Sequence, residues 1–355
     1  MDLMYDYICE SSDAMRHIQE NVEKLFEDFN ARTRGSNYSE IILLGSGTSY
    51  NAALTAYDFL EYILGVSIKV YYPLWFVDHV RTIDPHSLVI GVSQAGRSSS
   101  TIEAINKAKK FGMTTVALTA DETSPLKNAS DIFVKLDIGE ENVGPKTKGY
   151  FGSVVELIYL GLFLAKAQDI LGDIDFARYE SELLNTTDSI KNIAESFNDW
   201  YGHNKEDLKT AKRVIVIGYD NNLGAMSEGS LKLLEALRCS VSCYELEEFM
   251  HGAYHSIDKN TYILALGNPS RHKERLLRLM KYLKSHKQAK IVLISDEESE
   301  FKTFVYPFKN SEYFISLEYI VALQVLARKL SLDQGIDCCV SADPDFHKIM
   351  ESYKY

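Results

Sequence analysis

Glu228, Lys232 and Glu235 stand four and three residues apart in the stretch EGSLKLLEALRCSVSCYELEEFMHG. That spacing gathers side chains on one face of a helix. A glutamate at a buried helix edge beside a lysine can act as an acid or a base. His251 closes the same stretch, after Glu245, Glu247 and Glu248, and an imidazole changes charge near neutral pH. The three-residue spacing of Leu231, Leu234 and Leu237 assigns these leucines to a core. A plainer reading of the same residues is a solvated helix face and a capping histidine.

A second kind of chemistry is written into two turns. Gly45-Ser46-Gly47-Thr48-Ser49-Tyr50 follows the apolar run Ile41-Ile42-Leu43-Leu44 and leads into Ala52-Ala53-Leu54, so it is a strand-to-helix turn of small and hydroxyl residues. Such a turn offers backbone N–H groups and a helix N-terminus to an anion. A dinucleotide turn would need a glycine where Tyr50 stands, so nicotinamide binding is disfavoured and no cofactor is expected. Ser93-Gln94-Ala95-Gly96-Arg97-Ser98-Ser99-Ser100-Thr101 repeats the theme after Leu88–Val92. Two such turns at successive strand ends can converge on one ligand, because open α/β sheets bind ligands beyond the carboxyl ends of their strands. The polar loop Glu140–Tyr150, which holds Thr147 and Lys148, falls where it can close over that ligand.

The elements that must position these residues alternate. Helical spacing of Met15, Ile18, Val22, Leu25 and Phe29 predicts an opening helix within 1–34. Strands are expected at 41–44, 66–72, 88–92, 115–119 and 132–136, completing a first domain over 35–172. A helical connector follows over 173–210. Strands at 214–218, 240–244, 262–266 and 291–295, with helices at 271–285 and 316–331, make a second domain over 211–335, and a polar tail over 336–355 is expected to reach the active site. The second half repeats the architecture and not the motif, since Gly218-Tyr219-Asp220-Asn221-Asn222 has no hydroxyl cluster. The fold class is therefore α/β, with two mostly parallel sheets flanked by helices.

Composition narrows the partners. The chain has 355 residues, enough for two ordinary domains, with 46% hydrophobic and 25% charged residues. A net charge of −12 argues against a nucleic-acid partner. The most apolar stretch, Val154–Ala167, is interrupted by Glu156 and falls short of the ~20 residues that span a bilayer. No membrane association is expected. The five cysteines contain no CxxC pair, which suits a reducing cytoplasmic setting. The histidines lack HxH or HExxH spacing, so no metal site is expected.

Taken together, LLGSGTSYNAAL, VIGVSQAGRSSSTIEA, VGPKTKGY, EGSLKLLEAL with ELEEFMHGAYHSID, and the tail PDFHK resemble the tandem sugar-isomerase (SIS) proteins. These include the isomerase half of glucosamine-6-phosphate synthase and the fructosamine- and glucosamine-type 6-phosphate deglycases. The resemblance spans roughly residues 35–350 and implies two flavodoxin-like SIS domains. It also implies a 6-phosphosugar site in the first half and a homodimer whose active sites borrow from the neighbouring subunit. By it, Ser49, Ser93, Gln94 and Ser98, with Gly47 and Thr48, hold the phosphate. Ala95 and Arg97 stand where the synthase has a serine and a glutamate. Glu235 matches the base that moves a proton between C1 and C2, and His251 the histidine of ring opening or leaving-group protonation. Lys348 falls near the tail lysine that engages the open-chain sugar. Thr147, Lys148 and His347 are placed as further substrate contacts.

The glutaminase half of the synthase does not precede the first SIS unit, so amine release is expected rather than amine transfer. The expected activity is hydrolysis of a 6-phosphofructosyl- or 6-phosphoglucosyl-amine, such as a lysine adduct, to a hexose 6-phosphate and a free amino acid. The alternatives are an amino-sugar 6-phosphate deaminase or isomerase, and a non-catalytic phosphosugar sensor.

Overall fold

Short aliphatic runs that are apolar on both faces can be buried only inside a sheet covered on both sides, and this dictates the architecture. The computed structural model describes residues 2–82 and 84–354; Met1, Ile83 and Tyr355 lie outside them. The chain divides into two compact units.

The first-sheet unit comprises Asp13–Asn142, Lys148–Leu184 and Ser341–Tyr355. Its strands are β1 (Glu40–Leu44), β2 (Ser67–Tyr71), β3 (Ser87–Val92), β4 (Thr114–Thr119) and β5 (Ile132–Lys135). They lie in the order β2-β1-β3-β4-β5, every pair parallel. Winding reverses between β1 and β3, the place where a doubly wound sheet opens a crevice at its carboxyl edge. The helices Thr48–Leu64 and Ser99–Lys110 leave the sheet at that edge.

The second-sheet unit comprises Met1–Ser12, Val143–Thr147 and Asn185–Val340. Its strands are β6 (Arg213–Gly218), β7 (Ser240–Glu245), β8 (Tyr262–Gly267), β9 (Lys290–Ser295) and β10 (Lys302–Val305), ordered β10-β9-β8-β6-β7 and again all parallel. The same winding therefore occurs twice, and the α/β class with two flavodoxin-like sheets is the observed fold. The helix Leu223–Leu237 follows β6 and packs against Ile315–Asp333. Gly229 permits this approach, since a Cβ there would lie 2.1 Å from a methyl of Leu323.

Three expectations change. The opening segment is a helix Leu3–Glu20 followed by the short helices Val22–Leu25 and Glu27–Thr33, with Phe26 in the core and Leu25 only half buried. The apolar segment after the polar loop is longer than Val154–Ala167, a 20-residue helix Lys148–Ala167 whose length and composition would suffice to cross a membrane. Its apolar window is 89% buried in protein, so it is a core helix lying against Thr48–Leu64. β10 was not foreseen. It is four residues long at a sheet edge, and only Phe304 is buried.

Candidate functional site

In the first-sheet unit the two hydroxyl turns stand side by side, because β1 and β3 are hydrogen-bonded neighbours. Gly47 precedes the helix Thr48–Leu64 with φ of 57°, a left-handed conformation that a glycine adopts without strain. The hydroxyls of Ser49 and Ser93 make no hydrogen bond among the described residues, and both side chains are half buried at the carboxyl edge. Ser98 is committed to capping: its Oγ accepts from Thr101 N at 3.4 Å and from the Thr101 hydroxyl at 3.0 Å. Tyr50 turns aside and stacks on Tyr72, ring centroids 4.1 Å apart. Arg97 pairs with Asp121 at 3.2 Å. The Thr123 hydroxyl and amide, with Arg97 adding to them, hold the Asp121 carboxyl below its usual range.

Gln94 is tied elsewhere than expected. Its Nε2 donates to Glu141 Oε2 at 3.1 Å. Glu141 also accepts from the backbone N–H groups of Lys148 at 2.9 Å and Gly149 at 3.0 Å. A buried carboxylate thus closes the start of the helix Lys148–Ala167, where the helix dipole favours it. Thr147 and Lys148 are buried rather than displayed on a polar cover. The cause is this cap, which draws the loop inward. Neither Glu141 nor its role was singled out in the sequence, although a carboxylate shortly before a long apolar helix is the available signal.

The tail is ordered on the second turn. Ser99 donates to Ser352 O through its backbone N–H at 3.1 Å and its hydroxyl at 3.0 Å, and Lys354 N donates to Arg97 O at 2.8 Å. Ser98 and Tyr353 form an antiparallel bridge. His347 lies in the short helix Phe346–Ile349, with Nδ1 2.8 Å from Ser352 Oγ and its ring stacked on Tyr353 at 4.3 Å. The Lys348 ammonium is exposed and forms no ion pair among the described residues.

In the second-sheet unit the acid/base face is inverted relative to the leucine expectation. Glu228 and Lys232 are fully buried, whereas Leu234 is 46% exposed and Leu231 half buried. Only Leu237 of the three leucines enters the core. Packing against Ile315–Asp333 selects the Glu228–Lys232 side, a tertiary choice that spacing alone does not reveal. The Lys232 ammonium lies 3.4 Å from Glu228 Oε1 and 2.6 Å from Glu235 Oε2. Glu235 alone of the three reaches solvent, with 34% of its side chain exposed. The result is an accessible carboxylate held at a fixed rotamer by a buried cation. A solvated helix face does not describe it.

His251 follows the helical turn Leu246–Phe249, which Glu245 caps by accepting from Glu247 N at 2.7 Å and Glu248 N at 2.9 Å. Glu247 pairs with Arg275 at 2.7 Å. The carboxylates of Glu245 and Glu247 are thus engaged in local structure, and Glu245, not His251, is the cap. The His251 side chain is 69% exposed, 3.7 Å from Glu247 Oε1. It makes no hydrogen bond or ion pair with Glu235. Among the described residues no group of three His, Cys, Asp or Glu side chains is arranged to hold a metal ion. All five cysteines are free thiols.

Comparison with known proteins joins these two halves. The SIS domain model matches residues 36–163 and 207–301. Glutamine–fructose-6-phosphate aminotransferase [isomerizing] of Clostridium acetobutylicum is 23% identical over 306 residues, covering 85% of this chain and 50% of that protein. The chain spans about half the length of the curated relatives it matches. A crystal structure from Clostridium difficile 630, provisionally described as a phosphosugar isomerase, superposes with a TM-score of 0.92 at 28% identity, covering 99% of both chains. The C-terminal domain of glucosamine-fructose-6-phosphate aminotransferase from Francisella tularensis shares the fold, with a TM-score of 0.81 at 22% identity over 94% of this chain and 97% of that one. Two parallel five-stranded sheets and two matched segments make the same statement: the chain belongs to the SIS-domain family.

Proposed function

We propose that the chain is a deglycase that hydrolyses a 6-phosphorylated sugar–amine adduct of the fructosyl- or glucosyl-lysine 6-phosphate type. The observation that carries this reading is the Glu228–Lys232–Glu235 arrangement, in which the one accessible carboxylate is oriented by a buried ammonium. A base that shuttles a proton between adjacent carbons needs such a fixed position.

In this reading the 6-phosphate sits at the two hydroxyl turns, where Ser49 and Ser93 have hydroxyls to spare and two helix starts favour an anion. Gly47, Thr48, Gln94 and Ser98 shape those turns. Glu235 removes a proton from the carbon bearing nitrogen and delivers one to the adjacent carbonyl carbon. The nitrogen's proton passes to the former carbonyl oxygen, so a C=O becomes C–OH and the C–N bond becomes an imine. Water adds to the imine carbon, the C–N bond breaks, and the amine leaves with a proton from His251. One water is consumed. A fructosyl adduct yields glucose 6-phosphate and a glucosyl adduct linked at C2 yields fructose 6-phosphate. Lys348 is assigned to the open-chain sugar, with His347 as a further contact, whereas the burial of Thr147 and Lys148 leaves them the backbone of the capped loop rather than direct contacts. A homodimer in which His251 reaches a neighbouring subunit's site belongs to the same reading, and its strong exposure supports it.

The test is incubation of the purified protein with 6-phosphofructosyl-lysine, 6-phosphoglucosyl-lysine and glucosamine 6-phosphate, reading lysine, ammonia and hexose 6-phosphate together. Lysine and hexose 6-phosphate in equal amounts are expected from one of the adducts. Ammonia from the amino sugar alone would replace this reading with a deaminase, and sugar-phosphate binding without any product would replace it with a sensor.

A further inference from the structure

We propose that a cavity flanking His251 is the subsite for the carboxylate end of the substrate's amine, gripped by Arg278. This deepens the deglycase reading and rests on it. The cavity, of about 460 Å³, lies within the second-sheet unit and is lined by Met250, Tyr254, Arg275, Arg278, Leu279 and Tyr282. Its volume falls within the ~300–1,000 Å³ typical of small-molecule sites.

Two short pieces of chain build it. Met250 ends the turn Leu246–Phe249 and Tyr254 lies in the turn Ala253–Ser256, so the same stretch that carries His251 forms one wall. The other wall is one face of the helix Lys273–Lys287, where Arg275, Arg278, Leu279 and Tyr282 recur at spacings of three, one and three residues. Leu279 is buried and packs into the second sheet's core with Met250 and Tyr254 against it. Tyr282 remains 42% exposed. Thioether, leucine and two phenol rings make an apolar lining suited to a methylene chain.

The charge at the rim is uneven. Arg275 is neutralised by Glu247, whose two carboxylate oxygens lie 2.8 and 2.7 Å from its guanidinium. Arg278 makes no hydrogen bond or ion pair among the described residues. One uncompensated guanidinium on an apolar cavity, in a chain of net charge −12, selects an anion with an aliphatic stem. A guanidinium takes a carboxylate through two parallel hydrogen bonds. An amino acid joined to a sugar through either its α- or its side-chain nitrogen keeps its carboxylate. Ammonia as the leaving group would leave the whole cavity unused.

The experiment compares 6-phosphofructosyl-lysine with its decarboxylated counterpart, 6-phosphofructosyl-cadaverine, on wild type, Arg278→Gln and Arg278→Lys, with the corresponding 6-phosphoglucosyl pair run in parallel. Wild type is expected to prefer the carboxylate-bearing adduct by roughly ten- to hundredfold in kcat/KM, the scale of a charge-assisted contact. Arg278→Gln is expected to abolish that preference by raising KM for the lysine adduct alone, and Arg278→Lys to keep part of it. Equal loss on both adducts, or no change on either, overturns the proposal. If wild type releases no amine, the deglycase reading fails separately, and calorimetric titration of the same ligands decides the subsite. A wild-type affinity preference lost in Arg278→Gln sustains it, and equal affinities reject it.

Discussion

Lys232 donates to Glu235 across 2.6 Å from a side chain that is itself almost wholly buried. The lysine also lies 3.4 Å from the buried Glu228, so its removal strands a carboxylate away from water. Lys232→Met is expected to destabilise the protein by roughly 3–5 kcal/mol, the cost of breaking a buried ion pair from one side. Glu235→Gln keeps an oxygen for the lysine and is expected to leave the melting temperature nearly unchanged while turnover falls about a hundredfold or more. Thermal melts and kcat on the two variants separate these outcomes; a Glu235→Gln protein with wild-type turnover would remove Glu235 from the chemistry.

Among the described residues the polar contacts of His251 are its 3.7 Å approach to Glu247 and a backbone hydrogen bond to Glu248. His251→Ala is therefore expected to fold as the wild type does and to lose turnover by about a hundredfold. The loss is expected to shrink for adducts whose amine is a better leaving group, because such an amine needs less protonation. A uniform loss across leaving groups would argue for a different role.

Ser49 and Ser93 offer hydroxyls that make no hydrogen bond among the described residues. Each Ser→Ala change is expected to raise KM for the phosphorylated substrate by roughly three- to tenfold, one hydrogen bond's worth, with a smaller effect on kcat. Ser98→Ala also removes a helix cap, so it alone of the three is expected to lower the melting temperature, by about 1 kcal/mol of stability.

Glu156 lies fully buried in the helix Lys148–Ala167, accepting from Asp137 N at 3.1 Å through one oxygen while the other has no hydrogen-bond partner among the described residues. Burial lifts its carboxyl well above the ordinary range. A carboxyl whose folded-state pKa is raised holds its proton in the native state after the unfolded chain has released it. Stability is then highest below the unfolded value and falls as pH rises toward the folded one. Glu156→Gln removes this dependence, so its melting temperature relative to wild type is expected to become more favourable from pH 4 to pH 8. A pH-independent difference would show that the carboxyl is not titrating.

The strands were legible because the inner ones are near-continuous aliphatic runs, such as Ile41–Leu44, Val214–Ile217 and Ile291–Ile294, and the less apolar Ser67–Tyr71 and Ser240–Glu245 fall in step with the βα alternation. Nine of them appear within one residue of their expected ends, and only the four-residue edge strand Lys302–Val305 escaped. The two hydroxyl-rich strand-to-helix turns were legible because small and hydroxyl residues suit a tight turn that opens a helix. Burial on the helix Leu223–Leu237 was not, because leucines and charged residues compete for the inner face and the partner helix decides between them. Nor was the pairing of Ser352–Lys354 with Arg97–Ser99, which joins residues some 250 positions apart through main-chain groups that every sequence possesses.

At Gly229 the absent side chain is what lets Leu323 enter, with only 2.1 Å left for a Cβ. The residue is next to Glu228 and about one and two-thirds turns before Glu235, on the helix that carries both carboxylates. A single added methyl there has no room beside Leu323, so the helix or its neighbour must shift although neither carboxylate is touched. One atom-sized notch between the two helices thus bears on the placement of Glu228 and Glu235 alike.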